Sequence, residues 1–247
     1  MVYRKAINFK MIIGRGLLGN SLSVIDNDTY LFYANGISNS VLDSIPRNNF
    51  EINEIREIAD KKDGRIFVYF STCQVNSKLN IGRPYVQHKM FIEDLIKKRF
   101  PKYLIIRTSN LVGNNKWNHH TLFNYLFNSL EINKKITVNP DVTRNILDSS
   151  HFVSLIQTYL NKYSLNKIIE IVNPVSFTMD QIIYEFEKYF RKKFAIKRIS
   201  EISDFAIFEL NVELSRHLFA TCNISTKDYL TNLLIKYYSK DKILSNC

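Results

Sequence analysis

The sequence predicts an α/β protein built on a parallel, doubly wound sheet. Short apolar runs of strand length alternate with longer segments whose apolar residues recur at helical spacing, and this alternation continues over residues 10–190. A glycine-rich turn, GRGLLG at 14–19, joins the first apolar run to the first helical pattern. Alternation of this kind indicates a parallel sheet covered by helices on both faces.

The predicted elements follow one another in a regular order along the chain. Strands are expected after the first turn at 29–34, 66–70, 103–107, 135–138 and 168–172. Helices are expected at 41–62, 85–99, 122–130, 153–163 and 179–190. Pro84 favours a helix start beside it, because proline is well tolerated in a first turn.

The length and composition fit an ordinary globular protein with one good core. The chain has 247 residues, of which 45% are hydrophobic. Its apolar runs are shorter than the roughly 18–20 residues that a membrane span needs, and its first residues lack the long apolar core of a signal peptide. We therefore expect a cytoplasmic protein.

The charge is strongly positive, at +11, with 34 basic and 23 acidic residues. The basic residues are scattered in short runs, so the charge alone gives little support to a nucleic-acid-binding role. A diffuse positive field also suits a small anionic substrate. Three cysteines and five histidines show no metal-ligand spacing, so no metal site is predicted.

The glycine turn has the spacing of a dinucleotide-binding fingerprint. Gly14, Gly16 and Gly19 form GxGxxG between a strand and a helix. Such glycines permit a tight turn and let a pyrophosphate approach the start of the helix. Arg15 lies inside the turn, where its guanidinium is placed to meet a 2′-phosphate, which favours NADP over NAD.

The segment after this turn departs from the usual plan. A second strand ending in an acidic residue is expected about 20 residues on, where it holds the adenosine ribose. Here the next strand, 29–34, ends without Asp or Glu. A strand–helix section therefore looks trimmed. We expect a Rossmann-type dinucleotide-binding domain over residues 1–150, and sheet completion with a small substrate lobe over 151–247, in one compact unit.

A tyrosine and a lysine four residues apart, Tyr85 and Lys89, begin the helix after Pro84. On a helix this spacing places one side chain above the other. The lysine charge is expected to lower the tyrosine pKa and so to make the phenol a usable acid and base for alcohol–ketone chemistry. Thr72, at the end of a buried strand, is expected to hold the same substrate oxygen.

Taken together, these segments resemble the extended or atypical short-chain dehydrogenase/reductase family, in its nucleotide-sugar epimerase/dehydratase branch. The resemblance spans roughly residues 10–190. The matching segments are GRGLLG at 14–19, LFYANG at 31–36, VYFST at 68–72, YVQHK at 85–89, LIIRTSNLVG at 104–113 and TRNILD at 143–148.

The resemblance implies a role for each matching residue. Tyr85 is the acid/base, Lys89 lowers its pKa and touches the cofactor ribose, and Thr72 binds the reacting oxygen. Asn110 and Arg144 grip the nucleotide diphosphate of the substrate. The implied cofactor contacts come from Gly14, Arg15, Gly16, Leu17, Leu18, Gly19, Ala34, Lys89 and Ser109.

The implied function is NAD(P)-dependent chemistry on a nucleotide-activated sugar in surface polysaccharide biosynthesis. Cys73 and Gln74 stand where the sugar 4,6-dehydratases carry an Asp-Glu pair, so keto reduction, alcohol oxidation or epimerisation is favoured over water elimination. The resemblance also implies a homodimer formed through the helix that carries Tyr85. The alternative is a degenerate member that binds a nucleotide sugar or a partner without redox catalysis. The missing acidic strand end and the short interval between Thr72 and Tyr85 favour that alternative, while the intact Thr–Tyr–Lys set opposes it.

Overall fold

A computed structural model describes residues 11–25, 27–38, 45–77, 80–114, 121–140, 142–199 and 210–239. Its strands are β1 (Ile12–Ile13), β2 (Tyr30–Tyr33), β3 (Ile66–Thr72), β4 (Tyr103–Thr108), β5 (Asn110–Val112), β6 (Ile136–Val138), β7 (Thr143–Asp148), β8 (Lys167–Glu170), β9 (Ser176–Thr178) and β10 (Ile196–Arg198). Its α-helices are α1 (Leu17–Leu22), α2 (Ile45–Lys61), α3 (Pro84–Arg99), α4 (Leu122–Glu131), α5 (Ser149–Lys162), α6 (Met179–Phe190), α7 (Glu213–Thr221) and α8 (Tyr229–Tyr238), and a 3-10 helix spans Cys73–Asn76.

The central sheet is parallel, in the order β1-β2-β3-β4-β8. Every residue of β3, the middle strand, is buried. A strand of this kind is typical of a parallel sheet that is covered on both faces. The predicted α/β class with a Rossmann-type parallel sheet is confirmed.

Two apolar cores lie on opposite faces of this sheet, because successive side chains of a strand point to opposite sides. Val68 and Phe70 of β3 join a larger core with α1, α4, α5, α6, α7 and α8. Phe67 and Tyr69 join a smaller core with α2 and α3. The sheet is therefore wound on both faces, with α1 on the face opposite to α2 and α3.

Helix α3 begins and ends where the sequence predicts. Pro84 is its first residue, and three basic residues, 97–99, occupy its last turn. Basic side chains there complement the negative end of the helix dipole. The apolar positions Ile92 and Ile96 face the smaller core. This helix carries Tyr85 and Lys89 at its beginning.

The position of β1 agrees with the prediction that a strand–helix section is missing after the first helix. In the common dinucleotide-binding order, the first strand is central and has neighbours on both sides. Within the described part of the chain, β1 pairs with β2 alone and so lies at a sheet edge. The strand that follows α1 is β2, and it occupies the position directly beside β1.

The described residues also form two smaller sheets, one of β5, β7 and β9 and the other of β6 and β10. Both combine strands from before and after residue 150, and β8 completes the central sheet from beyond that residue. The division at 150 stays a prediction. No helix in the described ranges is long and apolar enough to cross a membrane.

Candidate functional site

The glycine turn between β1 and α1 is shaped by close backbone approach. Gly14 has φ of 120°, and a Cβ there would lie 2.5 Å from the carbonyl carbon and oxygen of Ala34. A Cβ at Gly19 would overlap the carbonyl oxygen of Gly14. The chain's own packing therefore requires glycine at both positions.

Gly16 differs from its two neighbours in the fingerprint. A Cβ added there would meet nothing within 4 Å, and its φ of −76° is open to any residue. Packing therefore gives no reason for glycine here. Arg15 beside it is exposed, and Leu17 and Leu18 are half-buried. An uncovered glycine between two packed ones matches the roles in the dinucleotide fingerprint, where the middle glycine admits the pyrophosphate.

Thr72 and Tyr85 are brought together by β3 and α3. Thr72 is the last residue of β3, and its hydroxyl accepts a hydrogen bond from the Gln74 backbone N–H at 3.2 Å. Its side chain also lies near the Tyr85 hydroxyl and acts to lower the pKa of that phenol. Burial outweighs this effect and raises the pKa of Tyr85 to about 12. The phenol is therefore protonated at neutral pH.

Lys89 is 2% exposed, and its ammonium contacts groups other than Tyr85. Its Nζ donates to the Tyr69 hydroxyl at 2.7 Å and lies 3.5 Å from Oε1 of Glu51. A Cβ at Gly36 would come within 2.9 Å of Nζ, so glycine there leaves room for the ammonium. Burial lowers the pKa of Lys89, and the Glu51 charge opposes that effect.

The expected lowering of the Tyr85 pKa by Lys89 is not found in this structure. The pKa is raised, because burial of the phenol outweighs other effects and because Glu51 also acts to raise it. The lysine charge is instead paired with Glu51. The roles of Tyr85 and Lys89 in catalysis stay predictions.

Glu51 of α2 takes part in the site and was not predicted from the sequence. Its carboxylate accepts hydrogen bonds from the Ile37 backbone N–H at 3.0 Å and from the Tyr69 hydroxyl at 2.7 Å, and it lies 2.9 Å from Nε2 of His88. Burial acts to raise the pKa of Glu51, but the Lys89 charge and these hydrogen bonds outweigh it and lower the pKa to about 2. The available signal was an acidic residue on the same helical face as Ile55 and Ile58.

Ser109 and Asn110 gather around Asn145 of β7. The Ser109 hydroxyl donates to Asn145 Oδ1 at 2.6 Å, and the Asn110 amide donates to the Asn145 carbonyl at 3.1 Å. Asn145 is buried and was not predicted. Arg144, beside it on β7, is half-buried, and burial lowers its pKa. The three residues predicted around the nicotinamide and diphosphate thus lie on or beside neighbouring strands.

One edge of the central sheet unites most of the predicted residues. Gly14, Ala34, Thr72 and Ser109 come at or just after the carboxyl ends of β1, β2, β3 and β4. Thr72 is in register with Thr108, which directly precedes Ser109. In open parallel α/β sheets this edge is where ligands bind.

Comparison with solved structures shows where this architecture is known. A UDP-glucuronic acid 4-epimerase from Bacillus cereus, in complex with UDP-glucuronic acid and NAD, has a TM-score of 0.64 and 15% identity, with 86% of this chain and 72% of that chain covered. MoeE5 in complex with UDP-glucuronic acid and NAD has a TM-score of 0.67 and 12% identity, with 94% and 85% covered. The dTDP-glucose 4,6-dehydratase of Bacillus anthracis, in complex with NAD, has a TM-score of 0.63 and 16% identity, with 81% and 71% covered.

The chain has the fold of these nucleotide-sugar enzymes. The resemblance found in the sequence is thus confirmed at the level of the fold. No family profile and no curated protein sequence matches the chain. At 12–16% identity the likeness concerns the fold alone, and the activity has to be argued from this chain's own residues.

Proposed function

We propose that the chain is an NAD(P)-dependent oxidoreductase or epimerase that acts on a nucleotide-activated sugar. The observation that carries this proposal is the neighbouring Thr72 and Tyr85 side chains, which lie at the same sheet edge as the glycine turn. A hydroxyl pair at that edge suits proton transfer to or from a substrate oxygen. We further propose a role in surface polysaccharide biosynthesis, in the cytoplasm.

The residues of the turn fit the pyrophosphate of a dinucleotide. Gly16 leaves open space, while Gly14 and Gly19 fix the turn. Ala34 and Ser109 would contact the cofactor at the same sheet edge. Arg15 would contact a 2′-phosphate, and Leu17 and Leu18 would complete the turn around the pyrophosphate. A bound nicotinamide would supply a hydride acceptor or donor. The adenosine half lacks its usual partner, because β2 ends without an acidic residue.

The protonation of Tyr85 bears on the direction of the reaction. With a pKa of about 12, its hydroxyl keeps its proton at neutral pH. Reduction of a ketone needs a proton donor at the carbonyl oxygen, and Tyr85 supplies one there while the Thr72 hydroxyl orients the same oxygen. An unshifted phenol would also be protonated at neutral pH, so keto reduction, alcohol oxidation and epimerisation all stay open. Alcohol oxidation and epimerisation need Tyr85 as a base and so require its pKa to fall when the site is filled.

Water elimination is not proposed, because two positions lack acids. Cys73 is buried, and burial raises the pKa of its thiol. Gln74 is an amide and transfers no proton. This chain resembles the dTDP-glucose 4,6-dehydratase in fold. It nevertheless has Cys73 and Gln74 at the positions of the Asp-Glu pair that would transfer the proton in water elimination.

For the substrate we propose a nucleotide-diphosphate sugar. Asn110 and Arg144, which lie on β5 and β7, would contact its diphosphate, since the guanidinium fork binds phosphate oxygens in a bidentate manner. The net charge of +11 favours such an anionic ligand. A second candidate is binding of a nucleotide sugar without redox chemistry. The edge position of β1 favours it, because the strand that would flank the adenosine is not beside β1 in the described chain.

Two measurements test the proposal. Titration with NADH and NADPH, followed by cofactor fluorescence, distinguishes an enzyme from a binder that takes up no dinucleotide. Turnover on UDP- and dTDP-linked ketohexoses is then measured for wild type and Tyr85→Phe. We expect this substitution to leave folding intact and to lower turnover by roughly 10²–10⁴, because the ring stays and the transferable proton is lost.

Tyr159→Phe is the matched control. It also removes a phenol hydroxyl with a hydrogen bond, to the Ser164 carbonyl at 3.1 Å, but on α5 and away from the sheet edge. Its turnover should equal that of wild type. A Tyr85→Phe protein that keeps the wild-type rate would show that the enzymatic proposal is wrong.

A further inference from the structure

The side chain of Asn145 on β7 is buried where two connecting segments meet, one after β4 and one between β8 and β9. Its Oδ1 accepts hydrogen bonds from the Asn173 backbone N–H at 3.0 Å and from the Ser109 hydroxyl at 2.6 Å. Its NH2 group donates to the carbonyl oxygens of Asn173 at 2.7 Å and Val175 at 3.3 Å. It also donates to Ser176 Oγ at 3.2 Å. Both ends of the amide are therefore fully engaged.

The backbone fixes which end of the Asn145 amide carries the oxygen. A backbone N–H only donates and a backbone carbonyl only accepts, so these partners identify the two ends of an amide that could otherwise be flipped. A flipped amide would set its NH2 group against the Asn173 N–H. It would also set its oxygen against the carbonyl oxygens of Asn173 and Val175. The oxygen of Asn145 therefore has to lie on the side of Ser109.

The acceptor beside Ser109 determines how its hydroxyl is used. A serine hydroxyl has one proton and two lone pairs. Because Oδ1 of Asn145 can only accept, the single proton of Ser109 is committed to that hydrogen bond. Ser109 is half-buried and comes directly after β4, at the sheet edge of the glycine turn. Its oxygen is therefore left to meet a ligand as an acceptor.

We propose that Asn145 is a positioning residue that makes Ser109 an acceptor for the carboxamide NH2 of a bound nicotinamide. This inference rests on the proposed function, in which Ser109 contacts the cofactor. The carboxamide offers a donor at one end and an acceptor at the other, whereas Ser109 offers only an acceptor. The NH2 end of the carboxamide therefore lies toward Ser109. The bond from Ser109 to Asn145 thus selects a cofactor that carries an amide donor.

Calorimetric titration with NAD, its 3-acetylpyridine analogue and ADP-ribose tests the proposal. The analogue replaces the NH2 of the carboxamide with CH3, so it keeps the carbonyl and the size of the group but loses the donor. ADP-ribose lacks the nicotinamide. We expect wild type to bind NAD about five- to tenfold more tightly than the analogue, and we define this ratio of affinities as the amide preference. Ser109→Ala should lower the amide preference to under about twofold and leave the affinity for ADP-ribose unchanged.

Asn145→Leu separates positioning from a merely structural role. The substitution frees the Ser109 proton, so the hydroxyl can donate to the acetyl carbonyl as well as accept from an amide. The analogue should then bind more tightly relative to NAD, and the amide preference should fall to under about twofold. A merely structural role would weaken the binding of both ligands equally and leave the amide preference at its wild-type value.

Two further variants keep the test decisive. Asn145→Asp retains an oxygen that accepts from Ser109, so it should retain the wild-type amide preference. Ser176→Ala is the matched control, because it also removes a hydroxyl bonded to Asn145, but on the NH2 side of the amide and at an exposed position. Its amide preference should equal that of wild type.

Three results would overturn the proposal. These are equal binding of NAD and the analogue by wild type, a wild-type amide preference in Ser109→Ala, and a wild-type amide preference in Asn145→Leu. Asn145→Leu leaves the backbone groups of Asn173 unpaired, so its folding is checked by circular dichroism. Ser109→Ala keeps those bonds and decides the question if the other variant does not fold. If wild type binds none of the three ligands, the proposed function itself fails and the inference falls with it.

Discussion

Replacing Glu51 with glutamine should destabilise the protein strongly. The substitution keeps the size of the side chain, but it removes the charge beside Lys89. It also replaces by an NH2 group one of the two oxygens that accept separately from the Ile37 N–H and the Tyr69 hydroxyl. Both partners are 2% exposed, so water cannot replace the lost charge in the folded chain. Removing one partner of a buried ion pair costs about 3–5 kcal/mol.

The shift in the pKa of Glu51 leads to a similar free energy of stabilisation. Its fall from 4.5 to about 2 on folding corresponds to about 3 kcal/mol of stability at neutral pH. Because the folded pKa is the lower one, this contribution is fully present above pH 4.5 and is lost as the pH falls toward about 2. The difference between wild type and Glu51→Gln should therefore be constant near neutrality and shrink in acid.

Urea unfolding at several pH values measures both effects. Glu54→Gln is the matched control on the same helix, since Glu54 accepts hydrogen bonds from two neutral side chains, Tyr33 at 2.6 Å and Asn35 at 3.0 Å. It should cost about 1 kcal/mol. The double variant Glu51→Gln, Lys89→Met should recover most of the loss, because no unpaired charge stays buried. Equal costs for Glu51→Gln and Glu54→Gln would refute the reasoning.

Arg15→Ala should weaken NADP binding by about tenfold, since a charged hydrogen bond contributes about 1.5–3 kcal/mol. It should leave NAD binding unchanged. Equal losses of affinity for both cofactors in the titration would remove the predicted preference for NADP. Light scattering should give twice the 29.0 kDa chain mass, because a homodimer would cover the exposed apolar side chains of Met90 and Phe91 on α3. A measured mass of one chain would contradict this prediction. Asp148→Asn should cost about 2 kcal/mol in urea unfolding because Asp148 binds Lys236, whereas the exposed Asp180→Asn should cost under about 0.5.

The elements that were predicted well are those whose signal is local. The buried run predicted at 66–70 became β3, Ile66–Thr72, and the one at 103–107 became β4, Tyr103–Thr108. Pro84 marked the start of α3. Strand length, apolar content and a proline are properties of a few adjacent residues, so the sequence displays them directly.

The adjacent histidines His119 and His120, which the sequence leaves without a role, lie outside the described residues.

The electrostatics of the site were harder to predict, because they depend on residues far apart in the chain. The spacing of Tyr85 and Lys89 indicates a local interaction, but the lysine pairs with Glu51, 38 positions earlier. Asn145 likewise meets Ser109 only after β5 and β7 pair. The depth of burial that raises the Tyr85 pKa also follows from the whole fold. None of these distances is encoded in a local pattern.

The placement of α1 has a consequence for handedness. The connections β2–α2–β3 and β3–α3–β4 advance across the sheet in one direction with their helices on one face. The connection β1–α1–β2 advances across the sheet in the same direction, but its helix lies on the other face. The handedness of this crossover is therefore opposite to that of the other two. Nearly all such crossovers are right-handed, because a right-handed unit packs back on its own sheet. The first unit is then left-handed and depends on other elements for docking.

Within the described ranges, α1 packs against α5, Ser149–Lys162. The turn that carries Gly16 should therefore become ordered only after α5 has been synthesised and has folded onto the larger core. A fragment that stops at residue 150 would contain the whole glycine fingerprint and still lack the surface that holds it. The glycine turn of 14–19 is in that sense a late product of folding.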